Sequence, residues 1–310
     1  MTLCSRRDFI KGLAAGSALA LTPLPLLGAE ETPRTLAIAR WQGEALGEAT
    51  LDAAAGRLTE RAIAALGGMG RFVTKGDRVW VKPNIGWNRS PAQAANTHPA
   101  VVGALVRLCL EAGAKSVRVG DHTCHEPRQT YATSGIAAAV AAAGGEMVTL
   151  DPARCRRVAL GGKRLKEWEL FPEILEADLV INAPIAKHHG LSRTTACMKN
   201  YMGVVGGNRS VWHQDFATCL VDITAFLKPR LCVLDATRVL LRHGPQGGNL
   251  EDVATPGLVA AGADIVALDA LAAELIGLAP AELPVLKAGV AAGLGSLDYR
   301  AQAGAELAVS

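Results

Sequence analysis

The apolar positions of the chain follow two periods, which alternate along the sequence. Short apolar runs bounded by turn residues predict buried strands, and longer segments with apolar residues three and four positions apart predict helices. The predicted strands cover residues 35–39, 77–82, 116–120, 147–150, 179–181, 231–235 and 257–261, with a hairpin over 155–168. The predicted helices cover residues 51–66, 99–112, 129–143, 172–176, 212–227 and 264–276.

Several helix boundaries carry start or stop signals. Gly67 and Gly68 end the first helix, because glycine readily adopts the left-handed conformation of a helix C-terminus. Thr97 is the predicted N-cap of the second helix, and Pro99 lies in its first turn. His98 is assigned to the same helix start. The tail after residue 280 is rich in Ala and Gly and receives no firm assignment.

Alternating strands and helices predict an α/β fold with a mainly parallel sheet and helices on both faces. We expect one such domain over residues 30–310. An alternative arrangement has two α/β lobes with the site between them. In α/β sheets ligands bind beyond the carboxyl ends of the strands, so polar residues that directly follow strands are the first candidates for a site.

The richest stretch of polar side chains is residues 177–214, which begins as a buried strand and passes Pro184 into a predicted loop. Lys199, His189 and His213 are the predicted catalytic residues, because lysine can act as a nucleophile and histidine transfers protons near neutral pH. The simpler alternatives are a surface lysine and a histidine that bonds a backbone carbonyl. The predicted cofactor-binding residues are Lys199, Asn200, Asn84 and Gly203. Glycines at 203, 206 and 207 are expected to let backbone N–H groups approach an anion.

A second polar run, residues 121–126, places potential metal ligands directly after a predicted strand. Imidazole, thiolate and carboxylate together suit a transition metal such as nickel, iron or zinc. The predicted metal ligands are Asp121, His122, His125 and His189. The simpler alternative is a polar loop whose aspartate caps a turn. We expect residues 122, 189, 199 and 213 to converge on one cavity at the rim of the sheet.

Composition and charge exclude several classes of protein. The formal net charge is +3 and there is no long basic run, so nucleic-acid binding is not expected. Neither a P-loop nor a G-x-G-x-x-G motif follows a strand, which disfavours a nucleotide bound in that way. None of the seven cysteines forms a C-x-x-C pair, so a ferredoxin-type iron–sulfur cluster is not expected. A small-molecule ligand is the expected partner.

The first 29 residues are interpreted as a twin-arginine signal segment. Ser5-Arg6-Arg7-Asp8-Phe9-Ile10-Lys11 precedes a mildly apolar stretch, as in signals read by the twin-arginine export machinery. Pro23 and Pro25 and the short apolar length argue against a permanent membrane span. The alternative is an ordinary N-terminal helix with adjacent arginines. We expect a location in the periplasm or cell envelope.

Several short motifs together resemble the family known as domain of unknown function 362. They are Lys82-Pro83-Asn84, Thr97-His98-Pro99, Gly120-Asp121, Asn182-Ala183-Pro184, Lys187-His188-His189, Met198 to Gly203, and Asp235 with Gly244-Pro245 and Gly247. The resemblance covers most of residues 35–278. Exported members of that family are common, and others carry a ferredoxin-type cysteine module that this chain lacks.

The order of four side chains is also similar to that in lactate racemases. His122 or His125, then His189, Lys199 and His213 follow the order of the racemase histidines and of its lysine, which holds a nickel-pincer nucleotide. The resemblance implies a nickel cofactor on Lys199. The racemases have a Gly-rich segment before that lysine, where this chain has Leu-Ser-Arg-Thr-Thr-Ala-Cys-Met.

Overall fold

A computed structural model describes residues 35–310, so the predicted signal segment lies outside the described residues. Residues 33–310 form one compact unit. Within the described range, no helix combines the length and apolar character that crossing a bilayer requires.

Thirteen strands and ten α-helices make up the described part of the chain. The strands are β1 (Leu36–Trp41), β2 (Arg78–Pro83), β3 (Ser116–Val119), β4 (Glu146–Met147), β5 (Arg156–Ala159), β6 (Glu167–Leu170), β7 (Leu179–Ala183), β8 (Ile185–His189), β9 (Arg193–Thr195), β10 (Leu231–Leu240), β11 (Val253–Ala254), β12 (Leu258–Gly262) and β13 (Leu307–Val309). The helices are α1 (Glu48–Ala65), α2 (Pro99–Glu111), α3 (Pro127–Thr133), α4 (Ile136–Ala142), α5 (Pro172–Leu175), α6 (Cys197–Asn200), α7 (Phe216–Leu227), α8 (Ile265–Leu275), α9 (Pro284–Ala291) and α10 (Tyr299–Ala303).

The α/β prediction is confirmed: one mixed, mostly parallel sheet of 11 strands runs through the molecule in the order β13-β1-β12-β10-β7-β2-β3-β4. Strands β8, β9 and β11 extend it beside β10, while β5 and β6 form a separate hairpin as predicted. β12 is antiparallel to both of its neighbours, β1 and β10. Because 11 of the 13 strands in the described residues belong to this one sheet, the two-lobe alternative is not observed among them.

Both faces of the sheet are covered. Ile38, Trp80 and Leu234 point into one apolar cluster, which is closed mainly by α7 and α8. Val81 and Val233 point into the other, which is closed by α1, α2 and α4. Successive strand residues face opposite sides, so a sheet buried on both faces reads as a continuous apolar run. This double burial explains why the central strands were visible in the sequence.

The stretch after Pro184 was predicted as a loop, and this prediction is wrong. Residues 185–195 form the hairpin of β8 and β9, and β8 pairs in parallel with the far half of β10. β10 itself continues to Leu240, five residues beyond its predicted end. Polar residues at alternate positions of β8 hid this strand, because Lys187 and His189 are buried there instead of apolar side chains.

Three helical predictions also need correction. The helix predicted over 129–143 is two helices, divided at Gly135, which has a φ of 74°. The segment Arg209–Asp215 is 3-10 rather than α-helical, and α7 begins only at Phe216. His98, not Thr97, is the N-cap of α2: its Nδ1 accepts the N–H of Ala100 at 3.3 Å.

Candidate functional site

One cavity of about 380 Å³ lies at the carboxyl ends of β2, β3 and β7. The polar side chains around it come from separate elements, each of which reaches the same edge of the sheet. The lining includes Lys82, Asn84, Asp121, His122, Cys124, Lys187, His189, Thr195, Lys199, Asn200, Arg209 and His213. The expected convergence of residues 122, 189, 199 and 213 is therefore present.

Lys82 and Asp121 form a buried ion pair on one side of the cavity. Lys82 Nζ lies 2.9 Å from Asp121 Oδ1, and both side chains are at most 4% exposed. Lys82 Nζ also donates to Pro83 O at 2.8 Å and to Asn200 Oδ1 at 2.7 Å. The other carboxylate oxygen of Asp121 accepts the N–H of Ile85 at 2.8 Å. Burial lowers the pKa of Lys82, and the Asp121 charge opposes this shift.

Asn200 is fully engaged within the protein. Its Oδ1 accepts from Lys82 and from Asn84 Nδ2, and its Nδ2 donates to Lys82 O and to Asn182 Oδ1. An amide has two donor hydrogens and two acceptor lone pairs, so none remains for a ligand. The geometry therefore gives Asn200 the part of a positioning residue rather than of the predicted cofactor ligand.

Asn84 connects this network to Lys187. Asn84 Oδ1 accepts from Lys187 Nζ at 3.1 Å, and the same amine donates to Ala95 O. Lys187 is 1% exposed. Burial and then the nearby Lys199 charge lower its pKa to about 7. Asn84 is half-buried on the cavity wall, where its second amide hydrogen can reach a ligand.

The ion pair of Lys82 and Asp121 leaves no room for a side chain at Gly203. A Cβ at this position would lie 1.8 Å from Asp121 Oδ1 and 2.7 Å from both Lys82 Cε and Lys82 Nζ. Gly206 and Gly207 instead face the β5–β6 hairpin, where the nearest side chains are Cys155 and Glu169. The Gly206 N–H donates to Glu169 O at 2.9 Å, and neither Gly206 nor Gly207 lines the cavity.

We expect Gly203→Ala to lower the free energy of unfolding by about 1–3 kcal/mol, because the new methyl group would force the buried pair apart. Urea denaturation followed by circular dichroism measures this change. Gly56→Ala is the matched control: it lies inside α1 with nothing within 4 Å of the new Cβ. The control should gain up to about 1 kcal/mol from helix propensity. Equal stability of Gly203→Ala and the native chain would contradict the expectation.

Lys199 lies on α6 and lines the cavity. Its Nζ is 5.9 Å from the centre of the Phe216 ring. Burial, together with the charges of Arg209 and Lys82, lowers the pKa of this lysine to about 8. A lysine amine with such a pKa can act as a base or a nucleophile near neutral pH.

Asp269 of α8 holds the short helix α6 through hydrogen bonds. The Asp269 carboxylate accepts the N–H groups of Cys197 at 2.5 Å and Met198 at 3.1 Å. Burial raises the pKa of Asp269 to about 7. Cys197, which the sequence placed in a polar loop, is fully buried at this contact. The anchor fixes the backbone that carries Lys199.

The hydrogen bonds of His189 determine which proton it carries. Its Nδ1 accepts the backbone N–H groups of Leu191 at 3.1 Å and Ser192 at 3.2 Å. A backbone N–H can only donate, so the neutral ring carries its proton on Nε2. Burial and the Lys199 charge lower the pKa of His189 to about 3. His189 is therefore neutral at physiological pH and offers the cavity a hydrogen-bond donor.

His122 and His213 have the opposite tautomer. Nδ1 of His122 donates to Val205 O at 2.8 Å, and Nδ1 of His213 donates to Ser210 O at 3.0 Å. Each ring therefore has its lone pair on Nε2 and can accept a proton there. Burial lowers the pKa of His122. His213 is exposed at the cavity rim and stacks on Phe216, with ring centres 5.1 Å apart.

The four predicted metal ligands are not brought together. In the described part of the chain, no group of three or more His, Cys, Asp or Glu side chains could hold a metal ion. Asp121 is paired with Lys82, and His125 is absent from the cavity lining: its Nδ1 accepts the Asn88 N–H at 3.1 Å. Nδ1 of His189 is occupied by two backbone N–H groups. These side chains do not fit the nickel group that the racemase resemblance implies.

Arg209 is a member of the site that the sequence did not indicate. Its guanidinium donates to Met202 O at 2.8 Å and to His122 O at 2.9 Å, and it lines the cavity. Arg209 comes shortly after Gly206 and Gly207 and before the helix predicted from Trp212, so no sequence motif indicated it. The sequence indicated Lys187 through the Lys187-His188-His189 motif of the family resemblance; in the structure it lies on β8, on the same strand face as His189.

The cavity is strongly cationic. Lys82, Lys187, Lys199 and Arg209 all line it, and among the described lining residues Asp121 is the only carboxylate. Since Asp121 is paired with Lys82, the charges of Lys187, Lys199 and Arg209 have no acidic counterpart in that lining. Such a field attracts small anions.

Comparison with known proteins agrees with this description. Residues 79–274 match the family model described as domain of unknown function, DUF362. The chain belongs to the DUF362 family. A relative, a thylakoid-associated protein of Synechocystis sp., is 32% identical over 237 residues, which cover 74% of this chain and 72% of that protein. The DUF362 match extends from β2 to α8 and so contains most of the cavity lining.

Solved structures show a more distant likeness. The lactate racemase apoprotein of Thermoanaerobacterium thermosaccharolyticum has a TM-score of 0.46 and 10% identity over 71% of this chain. A protein of Thermotoga maritima has a TM-score of 0.33 and 13% identity over 66% of this chain. This DUF362 chain spans about half the length of each of these structures, 54% in both cases.

Proposed function

We propose that the cavity binds a small organic anion and that the protein is an enzyme acting on it. One observation supports this above all: Lys187, Lys199 and Arg209 face one cavity whose only lining carboxylate, among the described residues, is already paired with Lys82. The volume of about 380 Å³ lies in the range of small-molecule sites. His189 adds a neutral donor in the same space.

The lysine pKa values favour catalysis over simple binding. A carrier gains most from amines that stay fully charged, whereas burial holds Lys187 near a pKa of about 7 and Lys199 near about 8. An amine whose pKa is near neutral pH is only partly charged, so it binds an anion less tightly. The same amine can act as a base or a nucleophile. We assign Lys187 and Arg209 to anion binding, His189 to hydrogen-bond donation, and Lys199 to the chemical step.

Isothermal titration with oxalate and with inorganic phosphate tests anion binding. Lys187→Met should weaken oxalate binding at pH 6 by about tenfold or more, because a buried charge–anion contact is lost. Arg157→Gln is the matched control, since Arg157 lies on the β5–β6 hairpin and is paired with Glu167. Equal affinities of all three proteins would refute the proposal, and reversible binding without turnover of any tested anion would favour a non-catalytic binding protein.

The metal or organic cofactor predicted from the sequence has a separate test. Elemental analysis and an ultraviolet–visible spectrum should be recorded on protein purified from its native host. A stoichiometric metal or chromophore that Lys199→Ala removes would restore the cofactor prediction. If the protein contains neither a metal nor a chromophore, the reaction is carried out by the side chains described above.

We also propose export by the twin-arginine route. Ser5 to Lys11 matches that signal, and a relative bears the name of a thylakoid-associated protein. Replacing Arg6 and Arg7 together by lysine should retain the protein in the cytoplasmic fraction, because the receptor of this route reads the arginine pair. Unchanged fractionation of that variant would refute the route.

A further inference from the structure

Lys199 differs from the other cations of the cavity in its bonding. Lys82, Lys187 and Arg209 each donate to backbone carbonyls, which fix their positions. Within residues 35–310, Lys199 Nζ has no hydrogen bond, and it lies 5.9 Å from the centre of the Phe216 ring. An amine held on a rigid element without a partner is free to react with a bound molecule.

The surroundings of Lys199 suit a nucleophile. Burial and the neighbouring charges of Arg209 and Lys82 favour the neutral amine, which is the form that attacks carbonyl carbon. Desolvation next to another cation is a known way of activating a lysine for this chemistry. Asp269 fixes the helix α6, so the backbone that carries Lys199 is held in place while the amine itself stays unbonded.

Two different groups of a ligand can be recognised beside this amine. Lys187 and Arg209 provide fixed positive charge for a carboxylate, whereas His189 presents a neutral Nε2–H. A neutral imidazole donor is suited to a carbonyl oxygen, because it polarises the C=O bond without neutralising a charge. The cavity therefore offers a place for a carboxylate and a place for a ketone oxygen, with an amine in the same space.

We propose that Lys199 forms an imine with a small oxo acid, a carboxylate that also carries a ketone or aldehyde carbonyl. This inference rests on the proposed anion-binding function. Lys199 Nζ attacks the carbonyl carbon, and the C–N bond forms as the C=O double bond opens to a carbinolamine. Both amine hydrogens leave with the carbonyl oxygen as water, so no oxidation or reduction takes place.

Once the imine has formed, His122 and His213 can act as proton acceptors. Uptake of a proton from water at the imine nitrogen gives an iminium ion, which draws electrons from the adjacent carbon and makes its hydrogen acidic. The Nε2 lone pair of His122 lies on the same cavity and can accept that hydrogen as a proton, which converts the iminium ion to an enamine. His213 offers a second such lone pair at the rim.

Borohydride trapping of the full-length protein with pyruvate tests the inference. Hydride reduces an imine to a stable secondary amine, and peptide mass spectrometry locates the modified lysine. We expect the adduct at Lys199 and not at exposed Lys75 or Lys287. Acetone, a ketone that lacks the carboxylate, should label Lys199 at least about tenfold more slowly, because the cationic cavity no longer concentrates it. Propanoate, which lacks the carbonyl, should compete with pyruvate.

The variants Lys199→Arg and Lys199→Met should both lose the adduct, while Lys199→Arg keeps the positive charge and should still bind oxalate. Pyruvate labelling spread evenly over surface lysines, or absent from the native protein, would overturn the inference. If oxalate binds and is weakened by Lys187→Met but no adduct forms, only the imine is refuted. If neither oxalate nor phosphate binds, the proposed function itself fails.

Discussion

Asp121→Asn should destabilise the protein by about 3–5 kcal/mol, because it leaves the ammonium group of Lys82 buried without a counter-ion. Lys82 is 1% exposed and its partner oxygen is 2.9 Å away. Burial already lowers the pKa of Lys82, and loss of the opposing Asp121 charge would lower it further. Urea unfolding at neutral pH measures the change in the free energy of unfolding.

A second variant separates the buried charge from simple loss of packing. Lys82→Met combined with Asp121→Asn removes the uncompensated charge, so the double variant should recover part of the stability lost by Asp121→Asn alone. Glu167→Gln, in the exposed pair with Arg157, is the surface control and should change stability little. A double variant less stable than the single one by the full additive amount would contradict this account.

The affinity of the cavity for oxalate should fall steeply as the pH rises above about 7. Binding of an anion favours the protonated amine, whereas the free protein loses the Lys187 proton near a pKa of about 7 and the Lys199 proton near about 8. Each lysine that must regain its proton on binding costs about tenfold in affinity per pH unit above its pKa. Below pH 7 both amines are charged, and the affinity should level off.

Titration calorimetry between about pH 6 and about pH 9 checks this prediction, and proton uptake on binding should appear in buffers of different ionisation enthalpy. His189 contributes nothing in this window, because its pKa of about 3 keeps it neutral throughout. Lys187→Met should remove the part of the decline that begins near pH 7 and leave the part near pH 8. Affinity independent of pH would show that neither lysine faces the bound anion.

The lysines that line the cavity differ in the groups that hold them. Lys82 is held by a carboxylate and an amide, so its charge is satisfied within the protein. Lys187 is held by an amide oxygen and a carbonyl, which orient it without neutralising it. Among the described residues, Lys199 has neither kind of partner. The three lysines of this cavity therefore differ in the acceptors that hold them.

The histidines are likewise sorted by their backbone contacts. His189 accepts two N–H groups and becomes a donor to the cavity, whereas His122 and His213 donate to carbonyls and become acceptors. Residue type and spacing could not reveal this difference, because it depends on which backbone groups meet each Nδ1. The catalytic roles of these residues stay predictions until binding and trapping are measured.

The sequence by itself determined the α/β fold, most of the central strands, and the edge of the sheet at which the site lies. The physical reason is that strands buried on both faces are mostly apolar, so a polar cluster such as residues 121–126 marks the point at which a strand has ended. The motifs around Lys82, Asn182 and Lys199 likewise pointed to the DUF362 family, to which the chain belongs.

Only the tertiary structure decided which charges are free. Lys82 and Asp121 are 39 positions apart in the printed sequence, and their pairing depends on two neighbouring parallel strands ending side by side. Lys187 appeared to lie in a loop because a strand with a buried lysine lacks the apolar alternation of ordinary strands. Hydrogen bonds and ion pairs across the sheet are non-local, so local patterns cannot show which side chains remain unpaired and able to react.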